Sequence, residues 1–416
     1  VRPRLFVAAA LLIGIAYVFV TPPFEVPDEQ NHFWRGLAIG NGQLLPKYGL
    51  DATPIVKSTQ NFVWVVARTE PRETRAQKLR VLASLPYDGT AAGTVRFAAW
   101  YTPLPYAAQS LIAALPLRPA ILFYGGRIAN LALAIVLIAL AIGAAPQYGN
   151  VIAAAALLPM SMYEFASWSA DAATIALAWL FTALLLVPPR RVWLVSLTGF
   201  AMALCKPAYF LIALLVLVLP FRWRQRFAIL RATLVGTGLA VLAASFGAYN
   251  PRPGLPVDAG AQLRCIGANP IHFASVAIHD AATNGRFYIE EMIGRFGANE
   301  IKLSPFIITT EIILLLAVAL TCGAELRARV RVSALAIVTM TIAGILLSQY
   351  LIWSVVCGDV IEGVQGRYFL EILPLFLAAI ALPRIRALVS PWVVVGVAAI
   401  CNAAALLTLV HRYWQA

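Results

Sequence analysis

The sequence predicts an all-α polytopic membrane protein, a bundle of about 11 transmembrane helices with two large extracytoplasmic loops. Three observations predict it: an apolar excess, long uninterrupted apolar runs, and arginines gathered at the ends of those runs. The chain is 61% hydrophobic and 12% charged, with a mean hydropathy of +0.80. Soluble domains hold roughly 45–50% apolar and about 25% charged residues, so much of this surface must face lipid. In lipid every backbone N–H and C=O needs an internal partner, which leaves helix bundles or closed barrels. Barrel strands alternate apolar and polar residues. Runs such as 131–145 do not alternate, and helices follow.

The first element begins at Arg2 and Arg4 and continues as an apolar run over 5–20 that ends in Thr21-Pro22-Pro23. It resembles a signal peptide but has no small-residue cleavage site, so it reads as an uncleaved first span. The remaining spans are expected near 119–143, 150–168, 171–187, 192–205, 207–220, 232–249, 306–323, 332–356, 368–382 and 390–410. The pair flanking Lys206-Pro207 is short for two crossings and could form a shallow hairpin.

The arginines set the orientation. Arg190 with Arg191, then Arg222, Arg224, Arg226 and Arg231, then Arg327, Arg329 and Arg331, and finally Arg384 with Arg386 fall in alternate loops. Alternation puts them all on the side of Arg2 and Arg4, which the positive-inside rule makes the cytoplasm. Glu325 is the single acidic residue in those loops, and the turn near Gln147 is neutral. Two long segments then lie outside, 21–118 and 250–305, within one transmembrane domain spanning 1–416. The first contains amphipathic stretches such as 95–115 that suit the membrane interface. The second contains Cys265, which could pair with Cys357, also on the outer side.

The net charge of +13 is therefore explained by topology, not by nucleic acid. Five scattered cysteines without a C-x-x-C pair give no zinc or redox framework. No G-x-x-x-x-G-K loop suggests nucleotide binding, and no repeat or low-complexity tract is visible.

Four polar clusters interrupt the apolar pattern. The densest, 22–35, holds Glu25, Pro27, Asp28, Glu29, His32 and Arg35. Pro27 suits a helix start and acids suit its first turn. Asp28 and His32 would share a face at i, i+4, and Glu29 and His32 at i, i+3. Such a group can abstract a proton or hold a divalent metal, and a capped interfacial helix would look the same. The second, 100–106, brings Trp100, Tyr101 and Tyr106 with two prolines; it could shape a groove or belong to the aromatic belt. Within spans, Arg127 must face the bundle or snorkel, and Glu164 and Asp171 flank Trp168 at a helix junction. Lys206, followed by Pro207 and Tyr209, needs an anionic partner at its depth: a lipid phosphate or a carboxylate. The last cluster joins Asp359 and Glu362 to Gly363, Gln365, Gly366, Arg367 and Tyr368. Its glycines allow close approach, and its arginine offers a fork for phosphate oxygens.

The segments 22–34 (PPFEVPDEQNHFW), 101–106 (YTPLPY), Lys206-Pro207 and 363–369 (GVQGRYF) resemble, in order and spacing, a bacterial family of uncharacterised multi-pass membrane proteins. That family is grouped by similarity with the GT-C glycosyltransferases, whose relatives include protein O-mannosyltransferases, aminoarabinose transferases and oligosaccharyltransferases. The resemblance implies a GT-C-like bundle of about eleven helices and a polyprenyl-phosphate-linked sugar as donor. It also implies an acidic residue or pair just after span one, a place that Asp28 and Glu29 occupy here. Glu371 stands where the family often has proline, and it adds a carboxylate near that site.

From this resemblance the chain is expected to be a glycosyltransferase of the bacterial inner membrane, moving the sugar to an acceptor hydroxyl on the extracytoplasmic side with inversion of the anomeric carbon. Asp28 would be the general base, with Glu29 beside it. His32, Arg35, Tyr101, Tyr106, Arg127, Asp171, Tyr209, Gln365 and Tyr368 would line the substrate site, and Lys206 and Arg367 would stabilise the departing phosphate. The acceptor would be a glycan, lipid or protein. A divalent metal, if used, would sit at Asp28, Glu29 and His32. A transporter or flippase of lipid-linked sugars would use the same groove and cations, and a structural assembly protein would need neither.

Overall fold

The computed structural model describes residues 1–45, 79, 83, 84, 98, 100–187, 191–246, 252, 254–322, 326–381 and 389–415. Most of 46–99, and with it much of the first long loop and residues 95–97 and 99 of the amphipathic stretch 95–115, lies outside the described residues. So do Arg190, Glu325, Arg384 and Arg386.

The described architecture is α-helical, with one two-residue antiparallel hairpin in which Arg295 faces Lys302 and Phe296 faces Ile301. Five helices are long and apolar enough to cross a membrane. These are α1 (Pro3–Val20), α4 (Pro119–Ala144), α9 (Trp223–Phe246), α13 (Ala328–Ile352) and the helix starting at Pro391, α15 (Pro391–Val410), which continues as a π turn. Between α1 and α4 lie α2 (Glu29–Gly40) and α3 (Ala107–Ala113). After α4 come α5 (Gly149–Ala156), α6 (Pro159–Phe165), α7 (Asp171–Leu186) and α8 (Val192–Cys205). Next are α10 (Ala259–Ala268), α11 (Pro270–Gly294), α12 (Pro305–Leu320) and, between α13 and α15, α14 (Leu373–Ile380).

The expectation of about eleven spans is thus corrected to five candidate spans among the described residues, with shorter apolar helices at Asp171–Leu186, Val192–Cys205, Pro207–Leu217 and Pro305–Leu320. The physical reason is visible at the breaks. The expected span 150–168 is cut by Pro159 into α5 and α6, because proline removes a helix donor and pushes Leu158 to an extended conformation. Pro207 likewise ends α8 and starts a 3₁₀ segment, Pro207–Leu217. A second 3₁₀ turn, Gly366–Ile372, precedes α14. Every residue of α5 and α6 except the half-buried Asn150 is buried inside the bundle. Segments that never meet lipid need not match the length of the bilayer.

Broken helices leave backbone carbonyls that lipid cannot satisfy, and buried amides supply the missing donors. Asn130 Nδ2 donates to the carbonyls of Ser167 (2.8 Å) and Ser169 (3.1 Å), which Gln109 also reaches. Asn402 Nδ2 donates to Leu157 O at 2.7 Å, across the α5–α6 break. Small residues bring α8 and α9 close: a Cβ on Gly236 would stand 2.4 Å from Phe200 O.

Contacts sort the two ends of the bundle. At one end the Val1 ammonium donates to Asn150, Asn150 reaches Val389 O, Cys322 approaches Gln147 O, and Arg331 reaches Ala381 O. These are the loops that the arginine pattern assigns to one side. At the other end, Trp414 Nε1 donates to Val20 O, where α1 gives way to the 22–35 cluster. A Cys265–Cys357 disulfide, with Cα atoms 5.8 Å apart, ties α10 to the loop after α13.

Candidate functional site

The site starts from an unusual backbone. Asp28 precedes the first residue of α2 with φ +60°, a left-handed conformation that Asp and Asn tolerate better than most side chains. Its carbonyl accepts from the N–H groups of Asn31 and His32, and its side chain points out half exposed. The start of α2 therefore projects Asp28 outward while burying Glu29.

Arg367, on the 3₁₀ turn Gly366–Ile372, meets that carboxylate. Its Nη2 donates to Asp28 Oδ2 at 2.6 Å, its Nη1 to Glu164 Oε1 at 2.9 Å, and its Nε lies 3.3 Å from Asp171 Oδ2. Nη1 also reaches Pro27 O. Burial works against the guanidinium charge, but Glu164, Asp171 and Asp28 more than offset it and hold its pKa well above the ordinary value. The turn can reach this position because residue 366 is glycine: a Cβ there would lie 2.1 Å from Tyr288 O on α11. Gly366 N–H donates to Glu291 Oε2 at 2.7 Å, fixing the turn on that helix.

Lys206 is ion-paired with Asp171 Oδ1, and its ammonium lies over the Tyr368 ring at 4.7 Å from the centroid. Tyr209 donates to Tyr368 O at 2.9 Å. Lys206 and Arg367 are thus both committed to carboxylates. For Lys206 this is the carboxylate partner that the sequence allowed beside a lipid phosphate, and the two charges are matched by Asp171, Glu164 and Asp28.

His32 lies 5% exposed on α2, and its Nδ1 is 2.6 Å from Tyr106 Oη. Burial pushes its pKa down to about 4. Asp28 and Asp171 pull the other way, and Arg367 and Lys206 reinforce burial, so the ring is neutral at pH 7. Its rings neighbours are Tyr101 and Tyr106.

Three expected site residues do other work. Glu29 is fully buried and forms a two-pronged pair with Arg127, Oε1 to Nε at 2.8 Å and Oε2 to Nη2 at 2.7 Å. It also accepts from the N–H groups of Phe24 and Trp168. Arg127 spends its remaining donors on the carbonyls of Val18, Thr21 and Pro22, the chain reversal after α1. Both groups are saturated by contacts within the protein, and these hold the 22–35 segment in place. Arg35 donates to Gln43 O, Leu44 O and Tyr101 O, tying the end of α2 to the aromatic segment. Asp28, Glu29 and His32 turn toward Arg367, Arg127 and Tyr106 respectively. They do not converge as a metal-ligand set, and among the described residues no group of three such side chains does. In the last cluster, Glu362 pairs with Arg252, while Asp359 is exposed with His272 at 3.7 Å.

Two polar cavities flank the Asp28–Arg367 pair. One, about 220 Å³, is lined by Asp28, His32, Tyr101, Asp171, Gln365, Arg367 and Tyr368, with Gln349 and Trp353 from the end of α13. The other, about 210 Å³, is lined by Asp28, Glu291, Arg295, Asn299, Gln365 and Arg367. An apolar groove of about 500 Å³ runs beside α11, between Ile289, Met292 and Ile293 and residues of α12, α13 and α14, reaching Phe369 at the site. Sequence reasoning missed Glu291, Arg295, Gln349 and Trp353. Their only signal was a high polar content near the ends of α11 and α13.

A family model described as Predicted membrane protein (DUF2142) matches residues 11–376. No curated protein matches the chain, and no solved structure does.

Proposed function

Starting from the fact that this chain belongs to the DUF2142 family of predicted membrane proteins, we propose that it is a polyprenyl-phosphate-dependent glycosyltransferase of GT-C type. It would move a sugar from the lipid carrier to an acceptor hydroxyl on the extracytoplasmic side of the bacterial inner membrane. The observation that carries this reading is the place of Asp28. A half-exposed carboxylate, held by a buried arginine, stands between two polar cavities beside an apolar groove.

In this reading the prenyl tail lies in the groove and the sugar lies against Asp28. Asp28 Oδ2 is tied to Arg367, and among the described residues Oδ1 has no partner. That oxygen takes the proton of the acceptor hydroxyl as the hydroxyl oxygen attacks the anomeric carbon. The bond from that carbon to the phosphate oxygen breaks, the phosphate leaves with the electron pair, and displacement from the opposite face inverts the anomeric centre. Arg367 acts by holding the base in place. Base assistance of this kind typically contributes about 10²–10⁴ in rate.

Two independent features support the extracytoplasmic orientation. The arginine-marked loops meet at the far end of the bundle, as positive-inside topology requires. The Cys265–Cys357 disulfide lies on the loop that leads to Gly363 and Arg367, and disulfides persist on the oxidising side. A flippase would use the groove equally well, but a fixed carboxylate at the junction of two polar cavities favours chemistry.

The test is Asp28→Asn, purified and supplied with membrane lipid-linked sugar. Loss of glycosidic product with the fold intact supports the reading. Full transfer by that variant, or labelled lipid crossing vesicles without any product from the unaltered protein, overturns it.

A further inference from the structure

The two polar cavities differ in charge. In the His32 cavity the lining carboxylates are Asp28 and Asp171, and the one lining cation, Arg367, is already bound to both. The second cavity adds a cation of another kind. Arg295 is 8% exposed, and its Nε is buried without a hydrogen-bond partner. Its one ion pair among the described residues is a long contact, 3.8 Å, with Glu290. Its guanidinium stacks on Phe287, 4.5 Å from the ring centroid, which fixes the plane of the fork without using its donors.

The hairpin gives a second, independent observation. Arg295 and Lys302 are direct cross-strand partners, so their side chains leave the same face of the hairpin. Like charges in that position repel, and an anion between them relieves the repulsion. The cavity also contains two opposing carboxylates: Asp28, which Arg367 holds, and Glu291, whose Oε2 is occupied by the Gly366 N–H. Burial pushes the pKa of Glu291 up, which weakens its opposition to an anion.

The groove is next door. On α11, residues 285, 288, 289, 292 and 293 line the groove, while 291 lines the cavity. At 100° per residue these are adjacent stripes of one helix, and Arg295 directly follows its last residue as the start of the hairpin. An anion at Arg295 could therefore carry an apolar chain along α11 into the groove.

We propose that the cavity beneath the 295–302 hairpin binds the phosphate of an anionic lipid, with Arg295 as the fixed fork and Lys302 as a second, mobile charge. The inference rests on the lipid-carrier reading above. It moves the phosphate site from Lys206 and Arg367 to the far side of the Asp28–Arg367 pair. The acceptor hydroxyl then enters from the His32 cavity, so donor and acceptor approach Asp28 from opposite sides.

The experiment measures binding of a synthetic polyprenyl phosphate, and separately of inorganic phosphate, to the full chain in detergent. Arg295→Ala is expected to weaken lipid binding about tenfold or more, and Arg295→Lys less, because lysine keeps the charge but not the fork. Should Arg295→Ala not fold, Lys302→Glu at the exposed partner position reverses the second charge and is expected to weaken binding by a similar factor, about tenfold. Lipid binding within about twofold of the unaltered protein in both folded variants would overturn the site. Equal affinity for inorganic phosphate would overturn the lipid as its source. If the unaltered protein binds no polyprenyl phosphate, the lipid-carrier reading itself falls; if it binds and only the variants are silent, the carrier reading survives and this assignment does not.

Discussion

Arg367 Nη2 donates to Asp28 Oδ2 at 2.6 Å across a sequence separation of 339 residues. The same guanidinium holds Glu164 and approaches Asp171, so one side chain ties α2, α6 and α7 to the turn before α14. Replacing it should therefore affect geometry before it affects charge. Arg367→Lys keeps one positive charge but cannot span three carboxylates. We expect glycosyl transfer to fall by about tenfold to a hundredfold while lipid binding is kept, because the variant loosens Asp28 and leaves Arg295 untouched. Parallel transfer and binding assays check this.

The Glu29–Arg127 pair is fully buried and makes hydrogen bonds to the reversal after α1. Glu29→Ala would strand a guanidinium in the bundle. Breaking such a pair from one side costs about 3–5 kcal/mol. The double replacement Glu29→Leu with Arg127→Met should recover part of that loss. Thermal unfolding of Glu29→Leu, Arg127→Met and the double variant in detergent measures both effects; a double variant as unstable as the sum of the singles would show that the pair does not act as a unit.

The depressed pKa of His32 has a definite sign in stability. The unfolded ring takes up a proton as pH falls through about 6.5, whereas the folded ring stays neutral until about 4. Stability from this group is full above the upper value and is lost as pH falls through that window. The unfolding temperature of the unaltered protein should therefore drop more steeply between those values than that of His32→Asn. Parallel slopes for the two proteins would show that His32 titrates normally.

The Cys265–Cys357 bridge closes a loop of 92 residues between α10 and the approach to Gly363. Cys265→Ala should lower stability by about 2–4 kcal/mol and abolish a reduction-dependent shift on electrophoresis. Its effect should be larger on transfer than on lipid binding, since the bridge anchors the segment that supplies Trp353 and Gly363 to the wall of the His32 cavity, where the acceptor enters.

The placement of the polar clusters was readable in the sequence because charge is costly in lipid wherever it occurs. The segments around Asp28, Tyr101, Lys206 and Arg367 meet in one site, as their shared polarity suggested. What hydropathy could not separate was lipid-facing from protein-facing helix. The run 150–168 reads as a span in hydropathy, yet it is buried from 151 to 168 and broken at Pro159. Nor could spacing assign partners. Asp28 and Glu29 are adjacent and chemically alike, but the left-handed backbone at Asp28 sends one to the cavities and the other to Arg127. Arg295 was missed because it sits in a loop where arginine is ordinary, and only the hairpin register sets it against Lys302.

The distance along the chain between Asp28 and Arg367 has a consequence for synthesis. A ribosome adding about 5–20 residues per second needs roughly 20–70 s between them, whereas Arg127 reaches Glu29 much sooner. The nascent protein therefore secures its first reversal early, and Asp28 waits for its arginine until about the last eighth of the polypeptide arrives. Any product truncated before residue 367 lacks the side chain that fixes this carboxylate, so incomplete copies never assemble the Asp28–Arg367 pair.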